Sequence, residues 1–125
     1  MKLSVVKTVA AITVVMLLLD AAFLSVIYGT FNKMIVEIQG SAIKMRSAGA
    51  LVCYVALVGV LYYFIVAQKR PAFEAAILGA GIYAVYESTS FATLKGWSPK
   101  IATIDTLWGG ALFYLTTTIV YWMGL

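Results

Sequence analysis

Four long apolar runs, separated by short polar breaks, organise the chain. They extend from about Thr8 to Tyr28, Ala48 to Ala67, Ala72 to Leu94 and Ile101 to Met123. Each is close to the roughly 20 apolar residues that carry a helix across a bilayer. In lipid every backbone group must be satisfied within its own segment, so each run is expected to be helical. The pattern predicts an all-α, integral membrane bundle of four transmembrane helices, forming a single domain over residues 1–125. The second and third connections are only a few residues long, which makes neighbouring helices antiparallel. Ser98-Pro99 is expected to open the fourth helix and Arg70-Pro71 the third, because proline suits a first helical turn.

The connection between spans one and two is longer. Over about residues 30–46, Phe31, Met34, Ile35, Ile38, Ala42 and Met45 recur at helical spacing, with Lys33, Glu37 and Lys44 on the other face. This amphipathic pattern, interrupted at Gly40, predicts a short helix lying in the membrane interface between the first two spans.

Composition sharpens the picture. Hydrophobic residues make up 63% of the chain and charged residues 11%, against roughly 25% in a soluble domain. The mean hydropathy is +0.99. These values argue against a soluble globular domain, a disordered tail and a nucleic-acid binder. The net charge of +4 comes from cations that mostly flank the apolar runs, and so reads as loop charge at a membrane surface. Lys2, Lys7, Lys69 and Arg70 fall on one side, and Lys33, Lys44, Arg46, Lys95 and Lys100 on the other. Four against five gives no bias, so charge does not set the orientation. Lys2 and Lys7 ahead of an apolar run resemble a signal peptide, but the length of the run and Asp20 within it favour a retained transmembrane helix. The single cysteine, Cys53, allows no internal disulfide, and it and the Tyr62-Tyr63 pair are expected to serve packing. There is no histidine, and neither a metal site nor a cofactor is expected.

The informative residues are three acids inside spans: Asp20, Glu87 and Asp105. An Asp at a helix centre costs about 3 kcal/mol facing lipid, so the acids are expected to face protein or a wet cavity. At about 1.5 Å per residue they lie roughly 12, 10 and 6 Å below one surface, on three different helices. That common depth predicts a shared polar site. No Lys, Arg or His lies beside them within a span, so they must be protonated, hydrogen-bonded to hydroxyls or neutralised by a cation. Tyr83, Tyr86, Ser88, Thr89 and Ser90 surround Glu87; Tyr83, Glu87 and Ser90 project to one helical side with Tyr86 on its flank. Trp108, one turn after Asp105, either lines the site or packs beside it. The candidate binding residues are therefore Asp20, Glu87, Asp105, Tyr83, Tyr86, Ser90 and Trp108, with no catalytic set. The alternative is that the buried acids tie helices together, although such bonds average only about 0.6 kcal/mol in membranes. Trp97 and Trp122, at span ends, read as interface anchors. Ala75, Gly79, Gly81, Gly109 and Gly110 mark expected helix contacts.

These residues carry a resemblance. The run Tyr86-Glu87-Ser88-Thr89-Ser90-Phe91-Ala92-Thr93-Leu94, then Gly96-Trp97, Asp105 and Trp108-Gly109, resembles the family catalogued as domain of unknown function 2177. Its hallmark is Tyr-Asp-Leu-Thr-Asn, Ala-Thr-Leu and a Trp, then Asp with Trp-Gly three residues later. An Asp late in the first span matches Asp20. The resemblance implies four membrane helices, as in proteins of bacteria and of large DNA viruses of algae, and the three acids as a set. It implies no activity. Glu87 stands where the family usually has Asp, Ser90 where it has Asn, and Phe23 where an aromatic, often Trp, follows the first Asp.

Three functional classes follow. The first is a small membrane protein whose carboxyl-lined site binds or transports a proton, a cation or a small amphiphile. The second is a structural or accessory subunit of a larger membrane assembly, in a bacterial envelope or a virus-associated membrane. The third, a lipid-modifying enzyme, ranks last because no nucleophile-base pair or cofactor motif is visible. Expected partners are membrane lipids, a small-molecule or cation ligand, and either further copies of the chain or subunits of a membrane complex; nucleic acid is not among them.

Overall fold

The computed structural model describes residues 2–125. It is all-α, with four helices: α1 (Leu3–Gln39), α2 (Ser47–Leu61), α3 (Ala72–Thr93) and α4 (Pro99–Trp122). No strand occurs among the described residues. Two of the helical stretches, Leu3–Gln39 and Ser47–Val66, are long and apolar enough to cross a membrane.

The expected separate interfacial helix is not present. Residues 30–39 continue α1, which runs unbroken for 37 residues, or about 55 Å. The reason is local. Nothing between Tyr28 and Gln39 stops a helix except Gly29, and one glycine costs only ~1 kcal/mol there. The first effective stop is Gly40, in the left-handed conformation at φ 79°, with its N–H on the Val36 carbonyl. Phe31, Met34, Ile35 and Ile38 do form an apolar face, but it packs on protein, and Ala42 and Met45 lie in the loop beyond the helix. Met34 is buried against Trp97 and Ile101, with Phe31, Ile35 and Ile38 around them. The Ser98 N–H reaches the Met34 sulfur at 3.2 Å. Ile43 N–H donates to Asn32 Oδ1 at 3.0 Å, folding the 40–46 loop back on α1.

α2 does not end at Leu61 but passes into a π-helical turn, Tyr62–Val66, in which the Ala67 N–H reaches the Tyr62 carbonyl at 2.7 Å. The wider turn lets Leu61, Ile65 and Val66 all be buried. The helix then stops at Lys69, whose φ is 53°. The Lys69 N–H bonds the Val66 carbonyl and the Arg70 N–H bonds the Ile65 carbonyl, a Schellman closure with lysine in glycine's usual place. α3 begins immediately after Pro71. α4 opens as its sequence predicts: Ser98 Oγ accepts from the Ile101 N–H at 3.2 Å and Pro99 occupies the first turn.

α3 and α4 form the closest helix pair, and α1 packs along α4. Glycine makes the first contact possible. A Cβ on Gly79 would overlap the Gly109 carbonyl oxygen and approach Phe113 Cγ to 2.7 Å. A Cβ on Gly109 would run into the Tyr83 ring. Gly110 sits against Ala76 and Ala80, whereas Gly81, also expected at a contact, has nothing within 4 Å. The main core joins Ile12 and Met16 of α1, Leu57, Val58 and Leu61 of α2, Ala75 of α3, and Leu112, Phe113 and Val120 of α4. The buried residues of α2 begin at Leu57, and before it Tyr54 packs on the core only partly buried.

Candidate functional site

The space left beside the first half of α2 is the principal cavity, of about 560 Å³. α1 supplies Asp20, Phe23 and Phe31; α2 supplies Gly49, Cys53 and Tyr54; α3 supplies Ile82, Tyr83 and Tyr86; α4 supplies Ile101 and Asp105. The wall is mostly apolar, broken by two carboxyls, three phenols and a thiol.

Asp20 is held by two neighbours. Trp108 Nε1–H donates to its Oδ1 at 2.9 Å, and the Tyr54 hydroxyl donates to its Oδ2. Both bonds follow from helix positions: Asp20 continues the buried stripe of Ile12 and Met16 at four-residue steps. Trp108 is fixed in turn by stacking on Phe23, with ring centroids 4.6 Å apart and planes within 6°. Trp108 does not line the cavity itself; it packs against the core beside it and donates to Asp20. The aromatic following the first Asp, here Phe23, is the surface on which the indole rests.

Glu87 lies elsewhere. It is 1% exposed, on the far side of α3 from the cavity. Trp97 Nε1–H donates to its Oε1 at 2.9 Å. Its Oε2 is buried with no hydrogen-bond donor among the described residues. Trp97 is thus no interface anchor. It is 5% exposed and packs edge-on against Phe31 and Tyr86. The connection between α3 and α4 folds it inward to reach the acid. Trp122, by contrast, is 86% exposed at the end of α4.

Unlike Glu87, Asp105 lines the cavity with Asp20. It is only half-buried, a departure from the expectation of three buried acids. Tyr83, Glu87 and Ser90 follow one stripe of α3, on which Glu87 and Ser90 are buried, but they do not share one hollow. Tyr83 and Tyr86 line the cavity; Glu87 opens on a second hollow; Ser90 is buried one turn beyond and lines neither. The Tyr83 ring packs directly over Gly109 of α4, where a Cβ would leave it no room.

Three participants escaped the sequence reading. Tyr54 gave no periodic signal, because α2 is apolar on every side. Cys53 was assigned to packing but is exposed and lines the cavity. Trp97 was assigned to the membrane surface. No group of three or more His, Cys, Asp or Glu that could hold a metal ion occurs among the described residues.

A helical fold, two helices of membrane-crossing length and carboxyls sealed by indoles and a phenol define an all-α membrane protein. The model of the family "predicted membrane protein", domain of unknown function 2177, matches residues 5–122, and the chain belongs to that family. No curated protein and no solved structure matches it.

Proposed function

We propose that this is a four-span membrane protein whose cavity binds a small amphiphilic cation. The observation that carries the reading is the pairing of Asp20 and Asp105 in an otherwise apolar hollow of about 560 Å³. That combination suits a ligand with a positive head and a hydrocarbon body: the carboxyls offset the charge and the aliphatic wall takes the rest. Tyr54 and Trp108 use both oxygens of Asp20, which leaves Asp105 as the more available carboxyl. Tyr83 and Tyr86 add aromatic faces, against which a cation is attracted. Phe73, Ile77, Val85 and Phe91 of α3 and Leu107 of α4 are exposed, and this supports α3 and α4 crossing the bilayer beside the other two helices. Their 22 and 24 residues reach about 33 and 36 Å.

Native mass spectrometry of the chain extracted with its surrounding lipid tests this. The expected result is a species of this chain alone, as one copy or several, carrying a small cationic amphiphile that is lost in Asp105→Asn. A fixed complex with a second protein and an empty cavity would replace this reading with that of an accessory subunit.

A further inference from the structure

A second hollow, of about 370 Å³, is lined by α3 and α4 alone and shares no residue with the cavity. Phe91 and Leu107, which line it, are exposed, so it is a groove open along the outer side of the helix pair. Glu87 lines it too and is almost completely buried. Trp97 Nε1–H donates to Glu87 Oε1, whereas Oε2 has no hydrogen-bond partner among the described residues. The hydroxyls of the groove do not supply one. The Thr103 hydroxyl donates to the Pro99 carbonyl and the Thr106 hydroxyl to the Ala102 carbonyl, each at 2.8 Å. The Ser88 hydroxyl donates to the Val85 carbonyl at 3.4 Å. Each proton is engaged by its own helix, so the polar side chains of the groove offer lone pairs only. No Lys or Arg lines it. A ligand that fits must bring the donors itself, and a carboxylate favours donors that carry positive charge.

Depth narrows the source of that ligand. Glu87 precedes the end of α3 at Thr93 by six residues, or about 9 Å. The indole that binds it belongs to the connection between α3 and α4. The carboxyl thus stands just beneath the level of the lipid head groups. Lys95 and Lys100, on either side of Trp97 in the chain, are exposed, and neither joins an ion pair among the described residues.

We propose that the α3–α4 groove holds an ethanolamine phospholipid of the surrounding bilayer. Its primary ammonium donates to Glu87, its phosphate faces Lys95 and Lys100, and an acyl chain lies along Phe91 and Leu107. The three N–H donors of that head group match an all-acceptor groove. A choline head group carries the same charge and has no N–H to give. The inference rests on α3 and α4 crossing the bilayer, and not on what the cavity binds.

The test uses the full chain in nanodiscs carrying ethanolamine or choline phospholipid with a photoreactive diazirine on one acyl chain. Peptide mass spectrometry locates the adducts. Ethanolamine-lipid adducts at the groove are expected to exceed choline-lipid adducts at least about tenfold at equal mole fraction, the factor that one charge-assisted hydrogen bond supplies. Unlabelled ethanolamine lipid should compete them away and unlabelled choline lipid should not. The excess should disappear in Glu87→Gln. Thr103→Phe, at an exposed position of the groove, should block the adducts with the carboxyl kept, and it decides the matter should Glu87→Gln fail to fold. Equal labelling by the two lipids overturns the head-group assignment and leaves the spans standing. An ethanolamine preference that survives both substitutions overturns the site. Adducts from neither lipid on α3 or α4 overturn the spans and the groove together. Tetraphenylphosphonium, an amphiphilic cation that reads the cavity, should bind wild type and Glu87→Gln alike. Loss of its binding in that variant would make the two hollows one site and overturn a separate groove.

Discussion

The seam between α3 and α4 and the space beside the first half of α2 are built from the same kind of residue and end in opposite states. Gly79 and Gly109 bring two backbones together so closely that neither position has room for a Cβ. Gly49 lines the cavity, with nothing within 4 Å of where its Cβ would lie. Small residues in a membrane helix therefore make a contact or make a space, according to what stands opposite. At α3–α4 the groove of one helix receives the ring of Phe113 from the other. Beside α2 the cavity is lined instead by side chains of α1 and α3, among them Phe23, Phe31 and Tyr83, with none of them close to Gly49. The tight seam fixes Asp105 and Glu87 relative to one another, and the open side gives Asp105 something to face.

The largest effect is expected where the seam is broken. Gly79→Ala puts a methyl group on the Gly109 carbonyl, which neither backbone can avoid without separating the helices. Overpacking of this kind costs about 3 kcal/mol or more. Gly49→Ala, whose methyl group meets nothing, should instead stabilise by roughly 0.5–1 kcal/mol, the helix preference of alanine over glycine. Reversible unfolding in mixed detergent micelles measures both. Equal costs at the two positions would abolish the distinction between contact and space.

The two buried acids provide the next test. Trp97→Phe keeps an aromatic ring beside Phe31 and Tyr86 but removes the donor to Glu87. Trp108→Phe removes one of the two donors to Asp20 and leaves Tyr54 in place. An unsatisfied buried acceptor costs about 1–3 kcal/mol. Trp97→Phe is expected toward the upper end, since no other donor reaches Glu87 among the described residues, and Trp108→Phe toward the lower. The reverse order in the same unfolding assay would mean that the stacking of Trp108 on Phe23 outweighs the hydrogen bonds.

A smaller change in stability, with a clear change in binding, is expected from filling the space. Gly49 lines the cavity and a Cβ there meets nothing within 4 Å, so Gly49→Leu places its side chain at the edge of that space. Stability should move by less than about 1 kcal/mol. Tetraphenylphosphonium affinity should fall at least about tenfold, equivalent to ~1.4 kcal/mol. Unchanged affinity would place the ligand elsewhere in the protein.

The helices were legible in the sequence because lipid-facing and core-facing positions are both apolar, and unbroken apolar runs can only be helical in a membrane. The same uniformity hid the partners. α2 is apolar on all sides, so nothing in its periodicity distinguished Tyr54 as the donor to Asp20. The acids stood out by their rarity, and their chemistry by their distance from any cation. Their division into an Asp20 site and a Glu87 site depends on how close α3 approaches α4, which only the facing glycines decide. Trp97 shows the limit most plainly. A tryptophan beside a span end has the sequence signature of an anchor, and its inward turn is set by three residues of connection around Gly96, at φ 92°. The continuous α1 was missed for a related reason: polarity was read as lying flat on a membrane, when the same stripe packs on Trp97 and Ile101.

The smallest predicted effect concerns the far end of α2, where the helix is held firmly. There the Tyr121 hydroxyl donates to the Arg70 carbonyl at 2.6 Å and approaches the Ile65 carbonyl at 3.3 Å, tying the α2–α3 turn to α4. The turn places Lys69 at φ 53°, a conformation that costs a side-chain-bearing residue roughly 1–2 kcal/mol. Lys69→Gly relieves that strain but gives the unfolded chain more freedom, which offsets roughly 0.5–1 kcal/mol of the gain. A net stabilisation of about 0.5 kcal/mol is expected, with Lys69→Ala near zero because it keeps the Cβ. If α2 pivots on this turn, cation affinity should not change in Lys69→Gly, since the turn keeps its shape. A variant that gained stability and lost affinity would show instead that strain at the closed end helps to hold the other end open.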